Sequence, residues 1–164
     1  MGSGLLCFGW PREVILLGDC EIGDDVLIGR YAYLESGEGA LLRIGPRALI
    51  GDFATITAQE RIVIGGDVMI AESVGIRDFD HEYRGLDRPM HAQGIVTTPI
   101  DIGEDVWIGH GVAILRGSEL GKGCIIGAHA VVKGKIESYA VAVGAPARKI
   151  NSRVSETGSS VSRT

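Results

Sequence analysis

The sequence predicts an all-β domain wound as a parallel β-helix, three short strands to a coil, with one long loop protruding from it. An aliphatic residue followed by Gly recurs every six residues within blocks, at Ile22-Gly23, Ile28-Gly29, Ile44-Gly45, Ile50-Gly51, Ile64-Gly65, Ile102-Gly103, Ile108-Gly109, Leu120-Gly121 and Ile126-Gly127. Less regular members keep the frame at Leu34, Ile56, Ile70, Ile76, Ile114 and Val132. Four residues after most of these aliphatics stands a small or β-branched residue or a cysteine, as at Val26, Ala32, Ala48, Ala54, Val68, Val74, Val106, Val112, Cys124 and Ala130.

A period of six suits neither an amphipathic helix nor a simple alternating strand. It fits a short strand followed by a tight corner, where Gly accepts positive φ and Asp or Asn stabilises a turn. The aliphatic then points into a narrow prism, the residue four places on fits beside the corner, and the backbone pairs with the coils on either side.

Counting in threes assigns the faces. Ile22, Ile44, Ile64, Ile102 and Leu120 form face one; Ile28, Ile50, Ile70, Ile108 and Ile126 form face two; Leu34, Ile56, Ile76, Ile114 and Val132 form face three. The period breaks after Leu34, Ile56 and Ile76, always between face three and face one, so the insertions leave the prism along a single edge. The largest runs from about Glu82 to Asp101, longer than a connection needs to be, and loops of that length in compact domains are commonly functional.

The remaining boundaries follow from composition. Residues 1–13 read as a lead-in, and Val14 to Glu21 as an irregular opening strand with Leu16 and Cys20 in frame. Residues 14–150 form the β-helix domain, and 151–164, rich in Ser and Thr, read as a disordered tail. A formal net charge of −5 without a basic cluster argues against nucleic acid as a partner. No apolar run approaches the ~18–20 residues of a membrane span, and no secretory leader is visible, so a cytoplasmic location and no membrane insertion are expected. Cys7, Cys20 and Cys124 lack metal-ligand spacing and read as free thiols, with no metal expected.

Two segments carry a more specific signal. One is Arg77-Asp78-Phe79-Asp80-His81; the other runs from Ile102 to Ile150 and contains Ile-Gly-Glu-Asp-Val-Trp-Ile-Gly, Ile-Ile-Gly-Ala-His-Ala-Val-Val and Val-Gly-Ala-Pro-Ala-Arg-Lys-Ile. Together with the repeat they resemble the hexapeptide-repeat acyltransferases, and among these the sugar O-acetyltransferases and their polysaccharide-modifying relatives. The resemblance implies a left-handed coil, although parallel crossovers are otherwise right-handed almost always. It also implies a homotrimer and an acetyl-CoA-dependent O-acetyl transfer to a sugar or glycan precursor. N-acetylation of an aminosugar nucleotide and a non-catalytic scaffold are the alternatives.

In that family a histidine at the start of the protruding loop removes the acceptor proton, and His81 occupies that place; imidazole suits the task because it titrates near neutrality. Asp78 and Asp80 are candidates to orient its ring or to bind the acceptor. Trp107 corresponds to a family tryptophan near the acyl end, Gly109 and Ala128 to positions along the pantetheine arm, and Lys133, Lys135, Arg148 and Lys149 to cations that meet phosphates. Ser73, Arg84 and Arg88 are the acceptor-side candidates. The chain departs from the family pattern at Glu72-Ser73, where sugar-acetylating relatives place Pro-Asn, and at Lys133-Gly134-Lys135, where relatives carry Thr-Lys-Asp.

Overall fold

The structure is a computed structural model and describes residues 6–7 and 14–154. Three parallel sheets form the walls of a triangular prism. Face one stacks six strands from Cys20–Ile22 to Lys135–Ile136, and face three stacks six from Ile15–Leu17 to Val131–Val132. Face two stacks eight, from Leu6–Cys7 to the closing strands Ala140–Val143 and Arg148–Ser152. The pairing register matches the counting in threes: Ile22 lies against Ile44, Ile28 against Ile50, and Leu34 against Ile56.

The repeat builds this because each coil leaves its backbone groups unpaired until a neighbour supplies partners. Gly29 N–H, for example, donates to the Ile50 carbonyl at 2.7 Å, and Gly51 N–H to the Ile70 carbonyl at 2.8 Å. Inside, Ile28, Leu34, Ile44, Ile56, Ile76, Ile108 and Ile126 are fully buried, each stabilising the coil by about 1.5–3 kcal/mol. The small residues Ala32, Ala48, Ala54 and Ala130 lie beside the corners, completely enclosed.

The repeat glycines serve a purpose different from the expected one. Positive φ falls two residues later, at Asp25, Tyr31, Arg47, Phe53, Asp67, Asp105 and His129. Gly45 is required instead by close approach: a Cβ there would lie 2.5 Å from the Gly65 carbonyl carbon of the next coil. Stacked corners bring backbone against backbone, and a side chain would push the coils apart.

The two ends differ. At the amino-terminal end Ile15, Leu16 and Leu17 remain two-fifths exposed or more. At the other end the chain reverses, and Arg148–Ser152 pairs antiparallel with Ala140–Val143. This strand runs two residues past the expected boundary at 150. Arg153 then fastens it, donating to the Gly123 carbonyl at 2.8 Å and to Asp105 Oδ2 at 2.9 Å. The lead-in expected at 1–13 contributes the Leu6–Cys7 strand; its remaining residues, and 155–164 of the expected tail, lie outside the described residues. Among the described residues no helix is long and apolar enough to cross a membrane.

Candidate active site

The large insertion is more ordered than a loop. Phe79–His81 and Ile95–Thr97 pair antiparallel as a two-stranded ribbon, with Phe79 opposite Thr97 and His81 opposite Ile95. It therefore begins at Asp78, before the expected start at Glu82, and it ends before Ile100–Ile102 rejoins face one. His81 is exposed at the far end of its strand, where the tip begins.

Asp78 anchors the ribbon from below. Its fully buried carboxylate accepts N–H bonds from Gln59 at 2.8 Å, Glu60 at 2.8 Å and Arg61 at 2.7 Å. At this corner the following coil departs into the ribbon and offers no carbonyls, so the side chain supplies the missing acceptors. Asp78 is thus a positioning group at the root of the ribbon, neither solvated nor hydrogen-bonded to the His81 ring.

Asp80 points to the other side. Arg116 donates from Nε to Asp80 Oδ2 at 2.7 Å and from Nη1 to Thr98 Oγ1 at 3.0 Å. Gly117 N–H adds a bond to the Thr98 carbonyl at 3.0 Å, so the corner of the next coil grips both strands of the ribbon. Arg116 was not among the residues singled out from the sequence: it sits at an ordinary turn position, and its partner lies 36 residues away.

The ribbon tip is stitched by its own side chains. Gln93 Oε1 accepts from Gly85 N–H at 2.8 Å, and Gln93 Nε2 donates to the Gly85 carbonyl at 2.8 Å and to the Arg88 carbonyl at 2.9 Å. Glu82 accepts the backbone N–H groups of Arg84 and Tyr83, which hold its carboxyl below the usual range. Arg84 and Arg88 are exposed on this tip, while the His81 ring forms no hydrogen bond among the described residues.

The candidates for the acyl donor lie on faces two and three. Trp107 stands on the outer surface of face two between Met69 and Ile125, 48% exposed. Gly109 is buried, its N–H bonded to the Ile126 carbonyl, and a Cβ on it would lie 2.8 Å from Ala128 N. Ala128 is exposed one coil further, and neither of its backbone groups is bonded among the described residues.

The four cations divide into two pairs. Lys135 meets Glu119 at 3.3 Å and Lys149 meets Glu137 at 2.8 Å. Lys133 and Arg148 have no carboxylate partner among the described residues; Arg148 donates only to the Ala147 carbonyl, at 2.9 Å. Ser73 is exposed at positive φ on the edge between faces two and three, beside Glu72, whose carboxylate lies 3.0 Å from His110 Nδ1.

The family model for bacterial transferase hexapeptide (six repeats) matches residues 99–134. A Saccharomyces cerevisiae protein named as an acetyltransferase is 35% identical over 146 residues, covering 87% of this chain and 71% of the relative. The chain belongs to the hexapeptide-repeat acyltransferase family. This hexapeptide-repeat chain is also 42% identical over 153 residues to a Mycobacterium tuberculosis protein named as an acetyltransferase, covering 93% of this chain and 49% of that one. It thus spans about half the length of the mycobacterial relative. Among solved structures, a hexapeptide-repeat-containing acetyltransferase of Vibrio cholerae complexed with acetyl-coenzyme A superposes with a TM-score of 0.70 at 28% identity, covering 79% of this chain and 69% of that one.

Proposed function

We propose that this chain is a cytoplasmic, acetyl-CoA-dependent O-acetyltransferase acting on a sugar or glycan precursor, with His81 as its general base. The observation that carries the reading is the placement of His81: an exposed imidazole at the end of a ribbon whose root is bolted down by Asp78 and whose flank is held by Arg116. A base must be held in place while its ring stays open to the substrate, and this construction provides both.

In the reaction, the His81 imidazole takes the proton from an acceptor hydroxyl as that oxygen attacks the thioester carbonyl of acetyl-CoA. The tetrahedral intermediate collapses, the C–S bond breaks, and the departing thiolate takes the proton back from the imidazolium. The products are the O-acetylated acceptor and free CoA. Trp107 supplies an apolar wall and one N–H donor near the acyl end, while the open backbone of Ala128 suits the amide groups of a pantetheine arm. Lys133 and Arg148, which have no carboxylate partner among the described residues, suit phosphates better than Lys135 and Lys149 do. Ser73, Arg84 and Arg88 are the acceptor-side contacts.

A homotrimer accords with this reading. The outer surface of face one carries mutually paired charges, Arg43 with Glu21, Arg61 with Asp101, Lys135 with Glu119. The outer row of face two is apolar, with Leu49, Met69 and Trp107 each about two-fifths exposed or more. Such a row is a surface for other copies to cover, and a cyclic trimer sets the ribbon of one chain against the side of the next. A neighbouring copy is then the source of the group that orients the His81 ring.

The test is thiol release from acetyl-CoA in the presence of a panel of sugars, oligosaccharides and nucleotide sugars, with the acetylated product identified by mass and by the atom modified. Release that depends on a hydroxyl acceptor is the expected result. Transfer to an amine alone, or no release with any acceptor, contradicts it.

A further inference from the structure

The edge between faces two and three carries a column of turn residues at positive φ: Tyr31, Phe53, Ser73, Gly111 and His129. Their backbones form one ladder. Phe53 N–H donates to the Arg30 carbonyl at 2.9 Å, Ser73 N–H to the Asp52 carbonyl at 2.9 Å, and Gly111 N–H to the Glu72 carbonyl at 3.1 Å. Tyr31, Phe53 and Ser73 are therefore successive rungs, about 4.8 Å apart.

Two features of the first two rungs go beyond what a corner needs. Bulky residues occupy the left-handed region only at a cost of about 1–3 kcal/mol each, and elsewhere this column uses small or polar ones. The rings are also stacked on one another, with centroids 5.2 Å apart and planes 15° apart, and are 54% and 57% exposed. Their rim is polar. Asp52 accepts from Arg30 N–H at 2.8 Å and from its guanidinium at 2.9 and 3.2 Å, and Glu72 stands at the next rung. The bonds from Arg30 hold the Asp52 carboxyl below its usual range, so it stays an acceptor.

We propose that the Tyr31–Phe53 stack is an additional saccharide subsite, which extends the acceptor site along this edge and makes an oligosaccharide the preferred acceptor. It rests on the reading of the acceptor as a glycan. A pyranose ring has an apolar C–H face and a rim of hydroxyls: the aromatic pair fits the first, and Asp52, Arg30 and Glu72 fit the second. The rung spacing is close to the advance of one sugar ring in an extended chain, so a glycan lying against the exposed side of the stacked pair reaches Ser73 at the next rung. Another protein surface is a poorer occupant, because it would strip water from the Arg30–Asp52 pair without supplying hydroxyls to replace it.

The test uses Tyr31→Asn and Phe53→Asn, singly and together, because Asn accepts positive φ and the corners keep their geometry. Binding of cellohexaose, maltohexaose and chitohexaose to the whole protein is measured by calorimetry, alongside acetyl-CoA affinity, native mass and the melting temperature. The expected result is binding of at least one hexaose, weakened tenfold or more in the double variant, with Phe53→Trp retaining affinity and with acetyl-CoA affinity and native mass unchanged. Absence of binding by all three hexaoses, or equal binding by the double variant, overturns the subsite. A lower native mass in the double variant also overturns it, by making the pair a contact between copies. Acetyl transfer is scored separately: its loss in His81→Ala with hexaose affinity untouched by the Tyr31 and Phe53 variants removes the subsite and leaves the transferase reading standing, whereas hexaose binding without any thiol release does the reverse.

Discussion

Arg116 donates to Asp80 at 2.7 Å, and Asp80 immediately precedes His81, so the coil beyond the ribbon sets the place of the candidate base. Both partners are partly exposed, and such a pair contributes roughly 0–1 kcal/mol to folding. Its weight lies in positioning. Arg116→Ala is expected to lower kcat about 10- to 100-fold while acetyl-CoA KM and the melting temperature change little. Arg116→Lys, which keeps the charge but not the fork, is expected to recover part of the loss. Steady-state kinetics and a thermal melt on the same preparations check both.

Asp78 presents the opposite balance. Its carboxylate is buried and satisfies three backbone donors, so Asp78→Ala leaves all three without acceptors in a water-poor corner. The expected cost is about 3 kcal/mol or more, read from urea unfolding. Asp78→Asn keeps one acceptor oxygen and is expected to fall between.

The positions of Asp78, Arg116 and the ribbon separate what was legible in the sequence from what was not. The three faces could be assigned from Ile22, Ile28 and Leu34 onward because every coil repeats the same steric demand, so one residue type recurs at one spacing. The insertion edge followed from the breaks in that spacing. Asp78, by contrast, resembles any acidic loop residue until the corner at Gln59 to Arg61 is seen to lack carbonyl partners, 17 to 19 residues upstream. Arg116 and Asp80 meet only because the coil stacks Leu115-Arg116-Gly117 beside the root of the ribbon. Positive φ at Tyr31 and Phe53 went against the residue preferences on which the turn reading rests, since the repeat glycines answer to coil contact.

Ionisable groups set two limits on stability. Burial pushes the Cys124 thiol up to about 11. A raised folded value means that its contribution is complete below the ordinary thiol value, about 8.5, and is lost as pH rises toward 11. In the Cys7→Ser, Cys20→Ser variant, Cys124 is therefore expected to resist Ellman's reagent at pH 8 until the protein is unfolded. Asp52, Asp67 and Glu137 behave in the opposite sense, because hydrogen bonds from Arg30, Arg47 and Lys149 hold them below the usual carboxylate range. Their stabilisation is present above about pH 4 and is lost as pH falls through their depressed values. Urea midpoints measured from pH 3 to 11 should show a plateau that declines at both ends.

Trp107 is expected to report optically on binding of the acyl donor. The indole is half exposed between Met69 and Ile125. Trp107→Phe is expected to raise the acetyl-CoA Kd severalfold and Trp107→Ala about tenfold, with kcat less affected. In a Trp10→Phe variant, which leaves Trp107 as the one tryptophan of the sequence, CoA binding is expected to shift the indole emission. Fluorescence and calorimetric titrations would show both effects, and unchanged affinity in Trp107→Ala would remove the residue from the donor site.

The central claim is that the exposed imidazole of His81 is the base for acetyl transfer. The most direct measurement compares acceptor-dependent thiol release from acetyl-CoA by the native protein and by His81→Ala, with circular dichroism, native mass and acetyl-CoA affinity recorded for each. Release reduced about 100-fold or more in a variant that keeps its fold, its assembly and its affinity is the predicted result. A variant that turns over at the native rate, or a native protein that binds no acetyl-CoA, would contradict it.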